Sequence, residues 1–173
     1  VDLAAIVRDV HQLFRDRAEG DGITLELQVE EGEHRGRLDP EGVHSLVANL
    51  TANALDACRF DAGPEGKQHR IVLSCRRDPA GDLVVAVEDN GAGIPEDAKR
   101  KIFQGFFSTK GSAGTGLGLL VVQRIVESHG GAIHLDSAEG EGTTFTVTLP
   151  ALPPEDPDYE LSIGPATQDG EEE

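Results

Sequence analysis

Seven of the chain's 21 glycines fall within thirty residues, between Asp89 and Gly118. Glycine loses more backbone freedom on folding than any other residue, so this stretch is not expected to form a helix or strand of a core. Long segments of this kind are either linkers or binding loops. Since 173 residues make about one domain, we expect one compact unit that contains this stretch.

Apolar residues recur with regular spacing on both sides of the glycine-rich stretch. Helical spacing predicts an amphipathic helix that ends at Gly20, a second from the capping pair Asp39-Pro40 to about Cys58, and a third over Leu117–Ser128. Pro95-Glu96 starts a short helix. Five strands are predicted. Apolar and polar alternation predicts Ile23–Val29, and runs bounded by turn residues predict Ile71–Cys75, Leu83–Val87, Ala132–Leu135 and Thr143–Leu149. The polar segment 30–37 is expected to be a loop or a short edge strand.

Charge and composition exclude several functions. The sequence has 15 Lys and Arg against 32 Asp and Glu, a formal net charge of −17, which disfavours binding to nucleic acid or to a membrane surface. Residues 151–173 carry eight of the acids and no Lys or Arg, so we expect a disordered acidic tail after a domain formed by residues 1–150. No apolar run approaches the roughly 18 residues that a membrane span needs.

The chain is expected to be a cytoplasmic fragment of a longer protein, whose membrane attachment, if any, would precede Val1. Charged residues interrupt the first ten positions, so Val1 does not open a signal peptide. Cys58 and Cys75 form neither a metal-binding pattern nor a disulfide framework, and we expect both thiols in the core.

Three polar residues of the second predicted helix are candidates for cation binding. Asn49 and Asn53 are four residues apart and therefore share a face, and Asp56 follows three residues later. Amide and carboxylate oxygens suit a hard cation such as Mg²⁺. Taken alone, the pattern is also typical of surface or helix-capping asparagines.

Asp89 ends a predicted strand and is followed at once by Asn90, Gly91 and Gly93. A carboxylate at a strand end can accept a hydrogen bond from an exocyclic amine such as adenine N6. Residues without side chains let a flat ring approach the backbone. Asp-Asn-Gly is also a common turn, so this motif alone does not decide the function.

Two further patterns precede the third predicted helix. Phe103, Phe106 and Phe107 cluster beside Lys110, which suggests either a hydrophobic anchor for a mobile loop or ordinary core packing. Segment 111–118 leads directly into the helix, so its backbone N–H groups and the positive helix end would face an anion such as a polyphosphate. Its spacing is neither that of the common phosphate loop nor that of a dinucleotide fold, and a flexible linker remains the alternative.

Together and in this order, the patterns resemble the ATP-binding catalytic domain of bacterial sensor histidine kinases. That domain belongs to the GHKL superfamily, which also contains gyrase, heat-shock chaperone and mismatch-repair ATPases. Asn49–Ala57 is similar to the family's N box, Asp89–Gly93 to its first glycine box, Phe103–Lys110 to its F box and Gly114–Leu119 to its second glycine box. Gly142–Phe145 is similar to the closing strand motif, so the resemblance covers roughly residues 1–150.

The resemblance implies roles for individual residues. Asn53 would bind Mg²⁺ with Asn49 assisting, and Asp89 would accept a hydrogen bond from adenine with Thr143 behind it. The other ATP-binding positions that it implies are Asp56, Gly91, Gly93, Ile94, Phe107, Lys110, Gly114, Thr115, Gly116, Leu117 and Gly118. Gly105 stands where relatives usually have Pro before the paired Phe, so we expect a looser lid.

The fold implied is an α/β two-layer sandwich, with about three helices on one face of a mixed five-stranded sheet and a long ATP lid loop. The function implied is that of a protein-histidine kinase, which binds Mg²⁺ and ATP and donates the γ-phosphoryl group to a histidine. That histidine would lie on a separate dimerisation and acceptor domain upstream, and a response regulator would follow in the pathway. No catalytic residue is assigned within the fragment itself.

Two other functions stay open on the sequence: a hydrolytic GHKL ATPase and a serine kinase of the anti-sigma type. Asn49 argues against the first. Hydrolytic members of the superfamily typically have at this position a Glu that activates water, and an amide cannot take a proton at neutral pH.

Overall fold

The computed structural model describes residues 1–103 and 117–151. The structure contains helices α1 to α4 and strands β1 to β5. In chain order they are α1 (Leu3–Gly20), β1 (Thr24–Val29), α2 (Pro40–Arg59), β2 (Arg70–Arg77), β3 (Leu83–Asp89), α3 (Glu96–Lys99), α4 (Leu117–Ser128), β4 (Ala132–Ala138) and β5 (Gly142–Leu149).

The five strands form one mixed sheet in the order β1-β2-β3-β5-β4. β1 runs parallel to β2, and the other neighbouring pairs are antiparallel. α1 packs on β1 and β2, α2 on β3, and α4 on β4 and β5. The predicted two-layer sandwich is therefore confirmed, with the four-residue α3 as a short addition to the three main helices.

The core lies between the helices and one face of the sheet. Leu3, Val7 and Val10 of α1 are fully buried there, as are Leu46 and Leu55 of α2. Alternate residues of β5 point into the same layer, as a strand with one buried face requires. Both cysteine thiols are free and buried, as the sequence predicts.

Helix capping explains where the two long helices begin. The Asp2 side chain accepts a hydrogen bond from the Ala4 amide at 2.9 Å, and the Asp39 side chain accepts one from the Glu41 amide at 3.1 Å. Each carboxylate satisfies one of the N–H groups that a helix start leaves without an intrahelical partner. The predicted start of α2 at Asp39-Pro40 is confirmed.

Three strands extend beyond their predicted ends. β2 continues to Arg77, β3 to Asp89 and β4 to Ala138, and these residues pair with Leu83, Thr143 and Gly142, respectively. Polar residues follow the predicted apolar runs, but the backbone ladder continues past them. Segment 30–37 forms no edge strand and has a single bridge, between Asp2 and Arg35.

The carboxyl end of β3 lies beside the first residues of β5, because Asp89 pairs with Thr143 in the antiparallel ladder. This end of the sheet also contacts the C-terminal half of α2 through the turn that follows Asp89. Among residues 1–103 and 117–151, no helix is long and apolar enough to cross a bilayer.

Candidate functional site

The Asp89 carboxylate is held at the end of β3 with only 7% of the residue exposed. The Gly91 amide donates a hydrogen bond to its Oδ1 at 2.8 Å, and the Thr143 backbone amide also donates to the carboxylate. Burial raises the pKa of Asp89 to about 6, against the opposing effect of these two hydrogen bonds. The group is therefore largely ionised at neutral pH, and it offers an acceptor oxygen in a mostly dry position.

A buried hydrogen-bond network lies beside Asp89. The Ser137 hydroxyl accepts from the Ile94 amide at 2.9 Å, donates to the Gly142 carbonyl at 2.9 Å, and lies 2.8 Å from the Thr143 hydroxyl. A serine hydroxyl has one proton and two lone pairs. The arrangement that satisfies all three contacts therefore has the Thr143 hydroxyl donating to Ser137, which leaves the Thr143 oxygen lone pairs as acceptors.

Gly91 and Gly93 are required by close backbone packing. A Cβ on Gly91 would lie 2.5 Å from the Ala57 carbonyl carbon and oxygen in α2. Gly93 has φ +69°, and a Cβ there would lie 2.0 Å from the Ala138 carbonyl oxygen. The turn after Asp89 thus fits between α2 and β4 only when both residues lack side chains.

Asn90 holds the beginning of β2 against this turn. Its side-chain oxygen accepts from the Arg70 amide at 2.8 Å, and its Nδ2 donates to the Gln68 carbonyl at 2.8 Å. The motif is therefore more than a local turn, because the Asn side chain continues the pairing of two neighbouring strands beyond Asp89.

An ion cluster that the sequence analysis did not identify borders the same turn. The Lys67 ammonium donates to the Asp61 carboxylate at 2.7 Å, His69 lies 2.9 Å from the same oxygen, and Lys67 also reaches the Gly91 carbonyl at 3.4 Å. The hydrogen bonds from Lys67 and then His69 lower the pKa of Asp61 to about 2. Lys67 also lies close enough to Asp89 to lower the pKa of that carboxyl.

Of the three polar candidates on α2, Asn49 faces the beginning of α4. Asn49 donates through Nδ2 to the Ser45 carbonyl at 2.7 Å, and a Cβ on Gly118 would lie 3.0 Å from Asn49 Oδ1. The amide oxygen of Asn49 is thus presented toward the first turn of α4. Asn53 is half-buried one turn further along α2, and the Asp56 carboxylate lies 4.0 Å from the Arg17 guanidinium of α1.

The remaining predicted residues divide into two groups. Ile94 is buried in the core and Leu117 is the first residue of α4. Phe103, at the start of the predicted aromatic anchor, packs edge-on against Phe145 with ring centroids 6.4 Å apart. Five predicted ATP-binding residues lie outside the described part of the chain, as do Gly105 and the acidic tail; the five are Phe107, Lys110, Gly114, Thr115 and Gly116.

The described residues thus bring three chemical features to one end of the sheet. These are a buried carboxylate, a glycine-containing turn whose backbone packs closely between α2 and β4, and the Asn49 amide oxygen on α2, which faces the beginning of α4. Such a set can accept hydrogen bonds from an amine and offer oxygen ligands to a hard cation. Of the features beside it, Ser137 and the Lys67 cluster had no local sequence signal.

Comparison with known proteins gives a consistent family. Residues 38–153 match the family described as histidine kinase-, DNA gyrase B-, and HSP90-like ATPase. The sensor histidine kinase ZraS of Salmonella typhi is 36% identical over 152 residues, which are 88% of this chain and 31% of ZraS. The chain therefore spans about 31% of the length of this curated relative.

Solved structures agree with the sequence match. The catalytic domain of the histidine kinase ThkA has a TM-score of 0.75 and 30% identity, covering 88% of this chain and 95% of that domain. ThkA in complex with the response regulator protein TrrA gives 0.72 and 25%, covering 90% and 42%. Full-length ShkA in complex with AMPPNP gives 0.71 and 26%, covering 91% and 32%.

The match covers both the α2 helix that carries the asparagines and the strand and turn that carry Asp89. The relatives and structures named above are sensor histidine kinases or their catalytic domains, so the ATPase and serine-kinase alternatives are not favoured. The chain belongs to the histidine kinase-, DNA gyrase B- and HSP90-like ATPase family, and within it to the catalytic ATP-binding domains of two-component sensor histidine kinases.

Proposed function

We propose that this domain binds ATP with adenine against Asp89 and donates the γ-phosphoryl group to a histidine on a separate domain of the same protein. The observation that carries the proposal is the Asp89 carboxylate, which is buried, anchored by two backbone amides and ionised at neutral pH. A carboxylate so placed accepts from the N6 amine of adenine, whereas guanine would present the acceptor O6 at the same place.

The base pocket is proposed to be formed by the residues around Asp89. Thr143 supplies the backbone amide that orients the carboxylate, and Gly91 and Gly93 bring bare backbone to the side of the pocket. Ile94 contributes apolar packing, since its side chain is buried beside them.

The triphosphate is proposed to lie between α2 and the segment that leads into α4. Asn53 would hold Mg²⁺ with Asn49 assisting, and the Asn49 oxygen that faces Gly118 fits an oxygen-ligand role. Asp56, on the same helix but near Arg17, would act at the edge of this region. Lys110, Phe107 and the segment Gly114, Thr115, Gly116, Leu117 and Gly118 would contact or cover the phosphates. When bound, Mg²⁺ would neutralise charge on the phosphate oxygens.

The transfer step needs a nucleophile that this chain is not proposed to supply. A histidine ring nitrogen of the acceptor domain would form the new N–P bond while the bond from the γ-phosphorus to the bridging oxygen breaks and ADP leaves. Asn49 cannot take a proton from water, and its amide is tied to the Ser45 carbonyl. We therefore infer that bound ATP is held for transfer and is protected from hydrolysis.

The partners and location follow from the same proposal. The acceptor domain would precede residue 1 in a longer protein of which this domain is a cytoplasmic part, and a response regulator would receive the phosphoryl group. ThkA, which is similar in structure, is seen in complex with the response regulator TrrA. The catalytic unit is proposed to end at about residue 150, because β5 ends at Leu149, and residues 151–173 form the acidic tail that follows it.

The test is the chemical type of phosphate formed by the full-length protein with Mg²⁺ and ATP. The proposal predicts an acid-labile, base-stable phosphate on a histidine outside residues 1–173, and none on the domain alone. An acid-stable phosphoserine on a partner protein would instead support the anti-sigma type of kinase.

A further inference from the structure

A groove lined by three arginines lies at the end of the sheet opposite Asp89. It has a volume of about 600 Å³ and lies between the loop before α2 and the turn that joins β2 to β3. We call it the arginine groove; its lining residues are Arg35, Gly36, Arg37, Arg77, Ala80, Gly81, Asp82 and Ala151.

Arg77 joins the two walls of the arginine groove. Its guanidinium donates to the carbonyls of Glu33 at 2.9 Å, Arg35 at 2.8 Å and Gly81. These carbonyls fix the position of the positive charge but do not neutralise it. Arg35 is exposed on the first wall.

The arginine groove is a basic site in an acidic chain. Within residues 1–103 and 117–151, no carboxylate lies within ion-pair distance of Arg35 or Arg77, although Asp82 also lines the groove. Other basic residues, such as Arg59 and Lys67, are paired with carboxylates. Arg35 and Arg77, which have no carboxylate partner among the described residues, outnumber Asp82 and make the groove positive in a chain whose formal net charge is −17.

The chain leaves the described domain inside this groove. Ala151 lines it, and the Ala151 carbonyl accepts a hydrogen bond from the Arg37 amide at 3.1 Å. Four acids follow within the next nine residues, at Glu155, Asp156, Asp158 and Glu160. Glu155 is four residues after Ala151, and an extended chain of that length reaches up to about 13 Å.

We propose that the arginine groove binds the acidic segment 155–160 of the same chain. The tether keeps these carboxylates at a high effective concentration beside the arginines, in the millimolar range for short flexible linkers. The partner is thus an acidic peptide that the chain itself supplies. Exposed ion pairs are weak and screened by salt, so the association is expected to be salt-sensitive.

The test compares two variants of the 173-residue chain that remove equal charge from the tail. The near variant carries Glu155→Gln, Asp156→Asn, Asp158→Asn and Glu160→Gln. The matched far variant carries Asp169→Asn, Glu171→Gln, Glu172→Gln and Glu173→Gln. The measurement is the set of NMR chemical shifts of the Gly36 and Gly81 amides and the Arg77 Nε–H group, recorded at about 0.02 M and about 0.5 M salt, where screening is weak and strong.

We expect the near variant to shift the groove signals at low salt, the far variant to leave them close to those of the unchanged chain, and high salt to remove the difference. Arg35→Gln together with Arg37→Gln should also abolish the effect of the near variant. Equal responses to the two tail variants, or no response, would overturn the proposal. Shifts that depend on protein concentration would also overturn it, because they would identify the tail of a second copy as the occupant.

Discussion

At the scale of single residues, Asp89 combines a buried position with a charge that ligand binding is proposed to use. Replacing Asp89 by Asn keeps one acceptor oxygen for the Gly91 amide but turns an N–H donor toward the proposed adenine amine. We expect ATP affinity to fall by about 1–3 kcal/mol, which is roughly 5- to 150-fold. Calorimetry measures this directly, with Glu88→Gln as the control, because Glu88 is the exposed neighbour on the same strand.

The raised pKa of Asp89 also predicts two opposite responses to pH. The folded chain holds the Asp89 proton more tightly than the unfolded chain, whose Asp pKa is near 3.8. The contribution of Asp89 to stability therefore increases as pH falls from about 6 toward 3.8. ATP affinity should instead weaken below about pH 6, by up to about tenfold per pH unit, because the protonated acid loses its charge.

Both responses are measured as differences between the unchanged chain and Asp89→Asn, since other carboxylates titrate in the same range. Calorimetry between pH 5 and 8 gives the affinity, and chemical denaturation gives the free energy of unfolding. An ATP affinity with the same pH dependence in both proteins would contradict the assignment of the titration to Asp89.

Ser137 gives a third prediction at this scale. Ser137→Ala removes the acceptor for the buried Ile94 amide, so we expect the free energy of unfolding to fall by about 1–3 kcal/mol. The change also frees the Thr143 hydroxyl to turn and donate to an acceptor such as guanine O6. The preference for ATP over GTP should therefore decrease. Ser128→Ala is the control: its hydroxyl is exposed at the end of α4, and a change within about 0.5 kcal/mol is expected. An unchanged ATP to GTP affinity ratio would refute the role in selectivity.

At the scale of elements, the turn after β3 packs closely against both α2 and β4. Gly93 and Gly22 have nearly the same φ, +69° and +70°, but only Gly93 is crowded; nothing lies within 4 Å of a Cβ on Gly22. Gly22→Ala should cost about 1 kcal/mol for its backbone conformation alone. Gly93→Ala should cost about 1–3 kcal/mol more, because β4 must shift.

Chemical denaturation of the two alanine variants measures the difference between them. The shared backbone conformation cancels in the comparison, so the remaining cost reports how tightly the turn packs against β4. Equal losses of stability would show that the packing against Ala138 is not a constraint.

The sequence was sufficient to predict the main helices and strands, because the patterns that indicate them lie within a few neighbouring residues. Apolar spacing defines α1 and α2, Asp39-Pro40 marks the beginning of α2, and alternation or short apolar runs between turns define the strands. The ends of the strands were harder to predict from the sequence, because Arg77 continues β2 only through its pairing with Leu83 on β3. The edge strand left open for residues 30–37 did not form.

In the candidate site, too, residues in local motifs were predicted and residues joined by long-range contacts were not. Asp89 and the asparagines were identified because they belong to motifs with a fixed spacing. Ser137 was not, because it is linked to Ile94 across 43 residues of sequence. Lys67 likewise reaches Gly91 across 24 residues. Only the packing of β4 and of the α2–β2 loop on the turn brings these groups together.

At the scale of the whole molecule, the two ends of the sheet are proposed to bind different groups. The end with Asp89 would hold the nucleotide between α2 and α4, and the opposite end would hold the acidic tail in the arginine groove. α2 and α4 are connected directly, because the Asp39 amide donates to His129 Nε2 at 3.0 Å. The helix that carries Asn49 is therefore held at its own N-terminal end against the C-terminal end of α4.

The central claim is that this domain holds ATP for transfer and does not hydrolyse it. The most direct measurement is phosphate release from Mg²⁺ and ATP by the purified chain, alongside Asn49→Glu and the control Asn49→Gln. A positioned general base contributes roughly 10²- to 10⁴-fold, so we predict negligible release by the unchanged chain and by Asn49→Gln, and measurable release by Asn49→Glu. Release by the unchanged chain at about one turnover per second, within the range of ordinary enzymes, would contradict the account.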